Sequence, residues 1–243
     1  MLIATRNTDQ QKRLARDAER SEAPFICPKC RMEAVLHKGN IKIHHFKHKP
    51  PVTCSWGRGE TQQHYSAKLA IFDALKGEAS VKLVELEKDF GVSVADVYAL
   101  INGVSVALEI QRSNLSVADI TLRTRNYYSL GIYVLWVALP TEDLWDERYS
   151  PSAWEKWCHS AYYGRVFYWD EGLWFHAVHF SPYVTYVEQS TWYSSDGEEQ
   201  SAGGYDRVSR RYKTPVHGRR VHLCRDFLPE ERSPWAGGSV DIP

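Results

Sequence analysis

The sequence predicts an α/β protein in three parts. These are a small N-terminal β module that binds zinc, a core with a mixed β-sheet, and a β-rich C-terminal extension with many aromatic residues. The evidence is a Cys-x2-Cys segment followed by histidines and a third cysteine, a strand–hairpin–helix–strand succession, and a concentration of Trp and Tyr near the C-terminus. We place the three parts at residues 1–58, 59–140 and 141–243.

Composition limits the class of protein. Of the 243 residues, 43% are hydrophobic and 25% are charged, which is typical of globular proteins. No apolar run approaches the roughly 20 residues that a membrane span needs. Only Leu2, Ile3 and Ala4 precede polar residues, so we expect no secretory signal. Five cysteines in such a chain favour thiols and metal over disulfides. We therefore expect a cytoplasmic protein that does not bind membranes.

Charge is distributed unevenly although the net charge is zero. Residues 1–68 contain 13 Lys or Arg against 6 Asp or Glu, whereas residues 69–150 contain 7 against 12. This charge distribution favours a basic module that binds a polyanion, next to an acidic site that binds cations. The alternative is uneven surface charge that only keeps the protein soluble.

The N-terminal module carries the pattern of a structural zinc site. We predict a strand at Leu2–Ala4, a short polar helix at Gln11–Arg20, and a hairpin of Ala34–His37 and Ile41–His48 around Lys38-Gly39-Asn40. Zinc takes four tetrahedral nitrogen or sulfur ligands, and a Cys-x2-Cys turn supplies two of them. We assign Cys27, Cys30, His48 and Cys54 as ligands, with His45 as the alternative to His48. The two histidines face opposite ways on a strand.

The core contains a hairpin whose turn fixes its register. The predicted elements are a helix over Glu60–Leu75, strands at Val81–Glu87, Val94–Ile101 and Val104–Gln111, a helix at Val117–Ser129, and a buried strand at Ile132–Leu139. Asn102-Gly103 suits a two-residue type I′ turn. That turn places Asp96 directly opposite Glu109, where like charges repel. A divalent cation between them would remove the repulsion; the alternative is a carboxylate that faces solvent or pairs with an arginine.

Three further polar residues belong to the same hypothesis. Glu60, His64 and Lys68 are spaced at i, i+4 and i+8, which places them along one helix face. Glu60 would add a third carboxylate, His64 a base, and Lys68 an amine that binds phosphate. Alternatively, they form a solvated stripe.

The C-terminal extension alternates in short runs such as Val166–Trp169 and Leu173–Phe180, which favours strands. We expect the tail after Pro229 to be loosely held.

The chain resembles the competence protein CoiA-like family over residues 1 to about 140. The resemblance rests on Cys27-Pro-Lys-Cys30, His45-Phe46-Lys47-His48, Glu60…His64…Lys68, Ala95-Asp96-Val97 and Glu109-Ile110-Gln111-Arg112-Ser113, and it continues through Arg123-Thr124, Tyr127-Tyr128 and Trp136. It implies a zinc-ribbon-like module before a nuclease core of the PD-(D/E)XK superfamily. Asp96 and Glu109 would then take the acidic positions that bind Mg2+ or Mn2+.

The resemblance implies a metal-dependent DNA nuclease of DNA uptake, recombination or defence. We expect Glu60, His64, Lys68, Asp96, Glu109 and Gln111 to be catalytic, and Lys42, Lys47, Lys49, Arg112 and Arg123 to contact DNA. Recombination proteins are further expected partners.

Gln111 departs from the superfamily pattern, because it stands where a lysine is usual and an amide supplies no positive charge. The family itself tends to carry glutamine there. The alternative function is a catalytically weak or inactive DNA-binding accessory factor.

Overall fold

The computed structural model describes residues 1–54, 56, 60–112 and 114–229. Within them the chain forms a small N-terminal β-sheet and a larger mixed sheet with helices, which confirms the predicted α/β class. The tail after Pro229, predicted to be loosely held, lies outside the described residues. None of the helices in the described ranges combines the length and apolarity needed to cross a membrane.

Five short antiparallel strands form the N-terminal sheet, in the spatial order β2-β1-β3-β4-β5. They are β1 (Ile3–Arg6), β2 (Lys12–Leu14), β3 (Phe25–Ile26), β4 (Glu33–His37) and β5 (His45–His48). The last two are the predicted hairpin. Its connection is longer than the predicted turn, because β5 begins at His45 rather than at Ile41.

The polar helix predicted at Gln11–Arg20 is wrong. Part of that segment is β2, which pairs with β1 from Ile3 opposite Leu14 onward, and a 3-10 turn covers Arg20–Glu22. The segment has little apolar face at helical spacing, so a helix would bury little there, whereas strand pairing supplies ladder hydrogen bonds. Tertiary pairing outweighs the weak helix preference.

Seven strands form the large sheet, in the order β14-β11-β10-β9-β8-β7-β6. The strands after β5 are β6 (Val81–Asp89), β7 (Val94–Ile101), β8 (Val104–Gln111), β9 (Tyr133–Ala138), β10 (Val166–Glu171), β11 (Trp174–Val187), β12 (Ser190–Tyr193), β13 (Glu199–Ala202) and β14 (Tyr205–His222). β9 runs parallel to β8 and to β10, and the other neighbours are antiparallel. β12 and β13 pair separately.

Two helices cover the part of the sheet that carries the predicted acids. These two are α1 (Gln62–Lys76) and α2 (Val117–Ser129), and the later helices are α3 (Ala153–Ala161) and α4 (Leu223–Asp226). The Thr61 side chain accepts a hydrogen bond from the amide of His64 at the start of α1, and the Ser116 side chain caps α2 in the same way. Such caps satisfy amides that have no partner within the helix.

The two helices lie on opposite faces of the sheet. Leu108 of β8 belongs to the core cluster that contains Ile71 and Leu75 of α1. Its neighbour Ala107 belongs to the cluster that contains Tyr127 of α2. Adjacent residues of a strand point to opposite faces, so α1 and α2 cover different sides of β8.

The C-terminal extension is mostly β, as predicted, and it continues the large sheet. β10 adds to β9 in parallel, and β11 and β14 follow. One unpredicted element is α3, which begins with a capping box at Ser152 and buries Trp154 and Cys158. α3 covers only nine residues, which is too short a window for periodicity alone to separate a helix from the strands predicted around it.

Candidate functional site

Three thiols and one imidazole converge in the N-terminal module. Ligand atoms of Cys27, Cys30, His48 and Cys54 all lie within 4.8 Å of one another. Cys27 follows β3, Cys30 lies on the turn after it, and His48 ends β5, so the antiparallel sheet brings them together. Three sulfurs and one nitrogen form a donor set that suits a tetrahedral metal such as zinc.

His48, and not His45, lies with the thiols. The His48 Nε2 is 3.3 Å from the Cys30 Sγ. The His45 ring is buried, its Nδ1 lies 2.8 Å from the carbonyl oxygen of Ile43, and it stacks on Tyr65 of α1. The order of preference given to the two histidines therefore agrees with the geometry.

Burial raises the pKa of the Cys27 thiol to about 12 in the metal-free protein. A metal binds the thiolate, so metal binding at this cluster must release protons.

The hairpin of β7 and β8 has the predicted register. Asn102 and Gly103 have φ values of 51° and 83°, as a type I′ turn requires. The paired residues run from Ile101 opposite Val104 to Val97 opposite Leu108. The ladder of paired residues ends there, one step before Asp96 and Glu109.

The Asp96 carboxylate faces α1. Its Oδ2 accepts a hydrogen bond from the amide of Ile110 at 2.9 Å and lies 3.1 Å from the His64 Nε2. Its Oδ1 is 2.7 Å from the Lys68 Nζ. Burial by itself would raise the pKa of Asp96, but Lys68 and His64 outweigh it and hold that pKa well below its usual range. Asp96 is therefore an ionised, half-buried carboxylate.

The Glu109 carboxylate faces α2 instead. It is almost completely buried, it forms an ion pair with Arg123, and it accepts a hydrogen bond from the Tyr127 hydroxyl at 2.5 Å. Burial raises the pKa of Glu109 to about 7, against the opposing effect of Arg123. Each acid thus has cationic partners of its own, and a cation shared by Asp96 and Glu109 stays a prediction.

Glu60, His64 and Lys68, which were predicted to share one helix face, all lie close to Asp96. Glu60 directly precedes Thr61, the N-cap of α1, and its Oε1 is 3.5 Å from the His64 Nδ1. Ligand atoms of Glu60, His64 and Asp96 lie within 4.8 Å of one another. These three residues form what we call the carboxylate–histidine cluster.

Lys68 lies behind the carboxylate–histidine cluster and is 2% exposed. Its ammonium pairs with Glu60, Asp96 and Glu87. Burial acts to raise the pKa of Glu60, but Lys68 and the amino group of Met1 lower it to about 2. The cluster is therefore anionic across the physiological pH range.

Glu87 is the residue that sequence reasoning missed. It has a φ of 47° and lies within β6, and its carboxylate accepts hydrogen bonds from the amides of Leu2 and Ile3 at 2.8–3.0 Å. It also lies 3.3 Å from Lys68. The sequence gives no signal for this role, because Glu85 and Glu87 look equivalent in an alternating strand.

The predicted DNA-contacting residues occupy different environments. Lys42, Lys47 and Arg112 are exposed. Lys49 forms an ion pair with Glu33. Arg123 is engaged with Glu109 and stacks over the Trp136 ring at 4.9 Å. Gln111, the last residue of β8, is half-buried.

Two family models match the chain, and both describe one family. The N-terminal domain of competence protein CoiA matches residues 7–57, and the nuclease-like domain of competence protein CoiA matches residues 60–160. Comparison with curated proteins and with solved structures gave no match. The first segment contains the thiol cluster, and the second contains the carboxylate–histidine cluster. The chain belongs to the competence protein CoiA-like family, as the resemblance predicted.

Proposed function

We propose that the protein is a metal-dependent DNA nuclease with a PD-(D/E)XK-like core. The carboxylate–histidine cluster carries this proposal, because its two carboxylates and one imidazole converge within a domain that matches a nuclease-like model. A divalent cation would offset the negative charge that the cluster concentrates.

The residues present fit a divalent metal. Glu60 and Asp96 would hold it through oxygen and His64 through nitrogen, a mixed donor set that suits Mn2+ at least as well as Mg2+. A metal bound there would lower the pKa of a bound water and neutralise the scissile phosphate. Lys68 keeps both carboxylates ionised, and the Ile110 amide orients Asp96.

We propose that the thiol cluster holds a structural zinc ion. Four protein ligands leave no open position, which is typical of structural rather than catalytic zinc. Cysteines that must stay reduced to bind a metal favour a reducing compartment, so we place the protein in the cytoplasm. There it would act in DNA uptake, recombination or defence beside recombination proteins.

The alternative is an inactive DNA-binding accessory factor. Two observations favour it: Gln111 supplies no positive charge, and the Lys68 ammonium already pairs with Glu60 and Asp96. An internal ammonium that neutralises the carboxylates would compete with a metal for them.

A cleavage assay on linear, circular and branched DNA with Mn2+ or Mg2+ tests the proposal. Asp96→Asn and Glu60→Gln should each remove cleavage and weaken Mn2+ binding, measured by calorimetry. Asp119→Asn, at an exposed carboxylate of α2, is the matched control and should keep both. Mn2+ binding without cleavage by the wild type would favour the accessory factor. Cleavage that survives Asp96→Asn combined with Glu60→Gln would contradict the proposed site.

A further inference from the structure

A groove of about 860 Å³ lies along the hairpin of β4 and β5 in the N-terminal module. This volume falls within the roughly 300–1,000 Å³ of ligand pockets. A smaller cavity of about 360 Å³ shares Lys42, His45 and Lys47 with it and is also lined by Glu60 and Tyr65. The smaller cavity therefore places Glu60 of the carboxylate–histidine cluster beside residues that also line the groove.

The groove is basic at the residues that it shares with the smaller cavity. Its charged lining residues are Arg20, Glu33, Lys38, Lys42 and Lys47. Lys38 pairs with Glu19, and Glu33 pairs with Lys49. Lys42 and Lys47 are exposed, and among the described residues no carboxylate forms an ion pair with either. Two unneutralised ammonium groups at this junction attract an anionic ligand.

Three aromatic rings stack in a row from the groove into the protein. The centroids of His37 and His45 are 5.3 Å apart with their planes 13° apart, and those of His45 and Tyr65 are 5.5 Å apart with their planes 21° apart. His37 is exposed at the outer end of the row, whereas the other two rings are buried. Burial and the charges of Lys47 and Arg20 lower the pKa of His37, which keeps this ring neutral.

We propose that the groove binds a single-stranded nucleic acid, with phosphates at Lys42 and Lys47 and a base stacked on His37. Exposed ammonium groups beside an aromatic platform are what single-strand binding sites combine. A duplex keeps its base faces stacked internally, so it offers none to His37. An acidic peptide would use the ammonium groups but not the ring. The inference rests on the proposed function and specifies the form of its substrate.

Binding is measured by fluorescence anisotropy with a labelled dT12, an abasic 12-mer of equal charge, and a 12-base-pair duplex. The full chain is used, with zinc retained and with no other divalent metal, so that binding is observed without cleavage. Asp119→Asn, at an exposed carboxylate of α2 outside both cavities, should bind dT12 as the wild type does. If dT12 binds but no DNA is cleaved in the assay above, the nuclease proposal fails while this one stands.

Lys42→Gln combined with Lys47→Gln should reduce the slope of log affinity against log salt by about 1.4, at roughly 0.7 for each phosphate contact to a single strand. Lys12→Gln with Lys82→Gln removes the same charge outside both cavities and should leave the slope unchanged. His37→Ala should weaken dT12 binding roughly tenfold while leaving the abasic strand unaffected. Four results would each overturn the inference. The first two are a duplex that binds as tightly as dT12, and equal binding of dT12 and the abasic strand. The others are displacement by polyglutamate that is as effective as by dT12, and an unchanged slope in the double variant.

Discussion

Replacing Lys68 with methionine tests the electrostatic design of the carboxylate–histidine cluster. The ammonium is 2% exposed, lies 2.7 Å from Asp96 and 3.3 Å from Glu87, and pairs with Glu60. Methionine keeps most of the side-chain volume, so the change removes charge with little loss of packing.

Removing one partner of a buried ion pair costs about 3–5 kcal/mol. The cost here should stay in that range although three carboxylates lose a partner. Asp96 keeps His64 and the Ile110 amide, and Glu87 keeps two backbone amides. A loss of this size is a large share of the roughly 5–15 kcal/mol that stabilises a domain.

Urea unfolding in a chelator measures this loss, and repeating it with Mn2+ tests the metal site. A cation that binds only the folded state at 100 times its Kd adds about 2.7 kcal/mol. Mn2+ should stabilise Lys68→Met more than the wild type, because it replaces the missing charge. Lys76→Met, at the exposed end of the same helix, should change stability by less than about 1 kcal/mol. A Lys68→Met variant as stable as the wild type in chelator would refute the reasoning, as would one that Mn2+ fails to stabilise.

Three further predictions concern other parts of the chain. Metal analysis should find one zinc per chain. Cys30→Ser should lower zinc content and thermal stability, whereas Cys224→Ser should keep both. A zinc-free wild type would contradict the assignment. Because burial raises the pKa of Glu109 to about 7, the folded state holds that proton more tightly than the unfolded state does. The free energy of unfolding should therefore fall by up to about 3 kcal/mol as pH rises from 4.5 to 7. Glu109→Gln should lose this pH dependence. An identical pH profile in that variant would exclude Glu109 as the cause. Glu155 accepts hydrogen bonds from the hydroxyls of Tyr149 at 2.8 Å and Tyr168 at 2.6 Å. Glu155→Gln should therefore destabilise the folded protein by about 3 kcal/mol, measured by thermal unfolding. An unchanged unfolding midpoint would show that this network adds no stability.

Local sequence determined the elements that carry both clusters. β7, β8 and α2 begin and end at the predicted residues, because Asn102-Gly103 fixes a tight turn and Ser116 fixes a helix start. The four thiol and imidazole donors could be predicted for the same reason, since a short turn and a hairpin bring them together within 28 residues.

Side-chain partners over long sequence distances needed the tertiary structure. The turn predicts the register of β7 and β8, but packing decides that Asp96 pairs with residues of α1 and that Glu109 pairs with residues of α2. Glu87 receives its partners from Leu2, Ile3 and Lys68, none of which its own strand specifies. Periodicity and turn chemistry act over a few residues and are legible in the sequence, whereas the burial and ion pairing that shape this site depend on how distant segments pack.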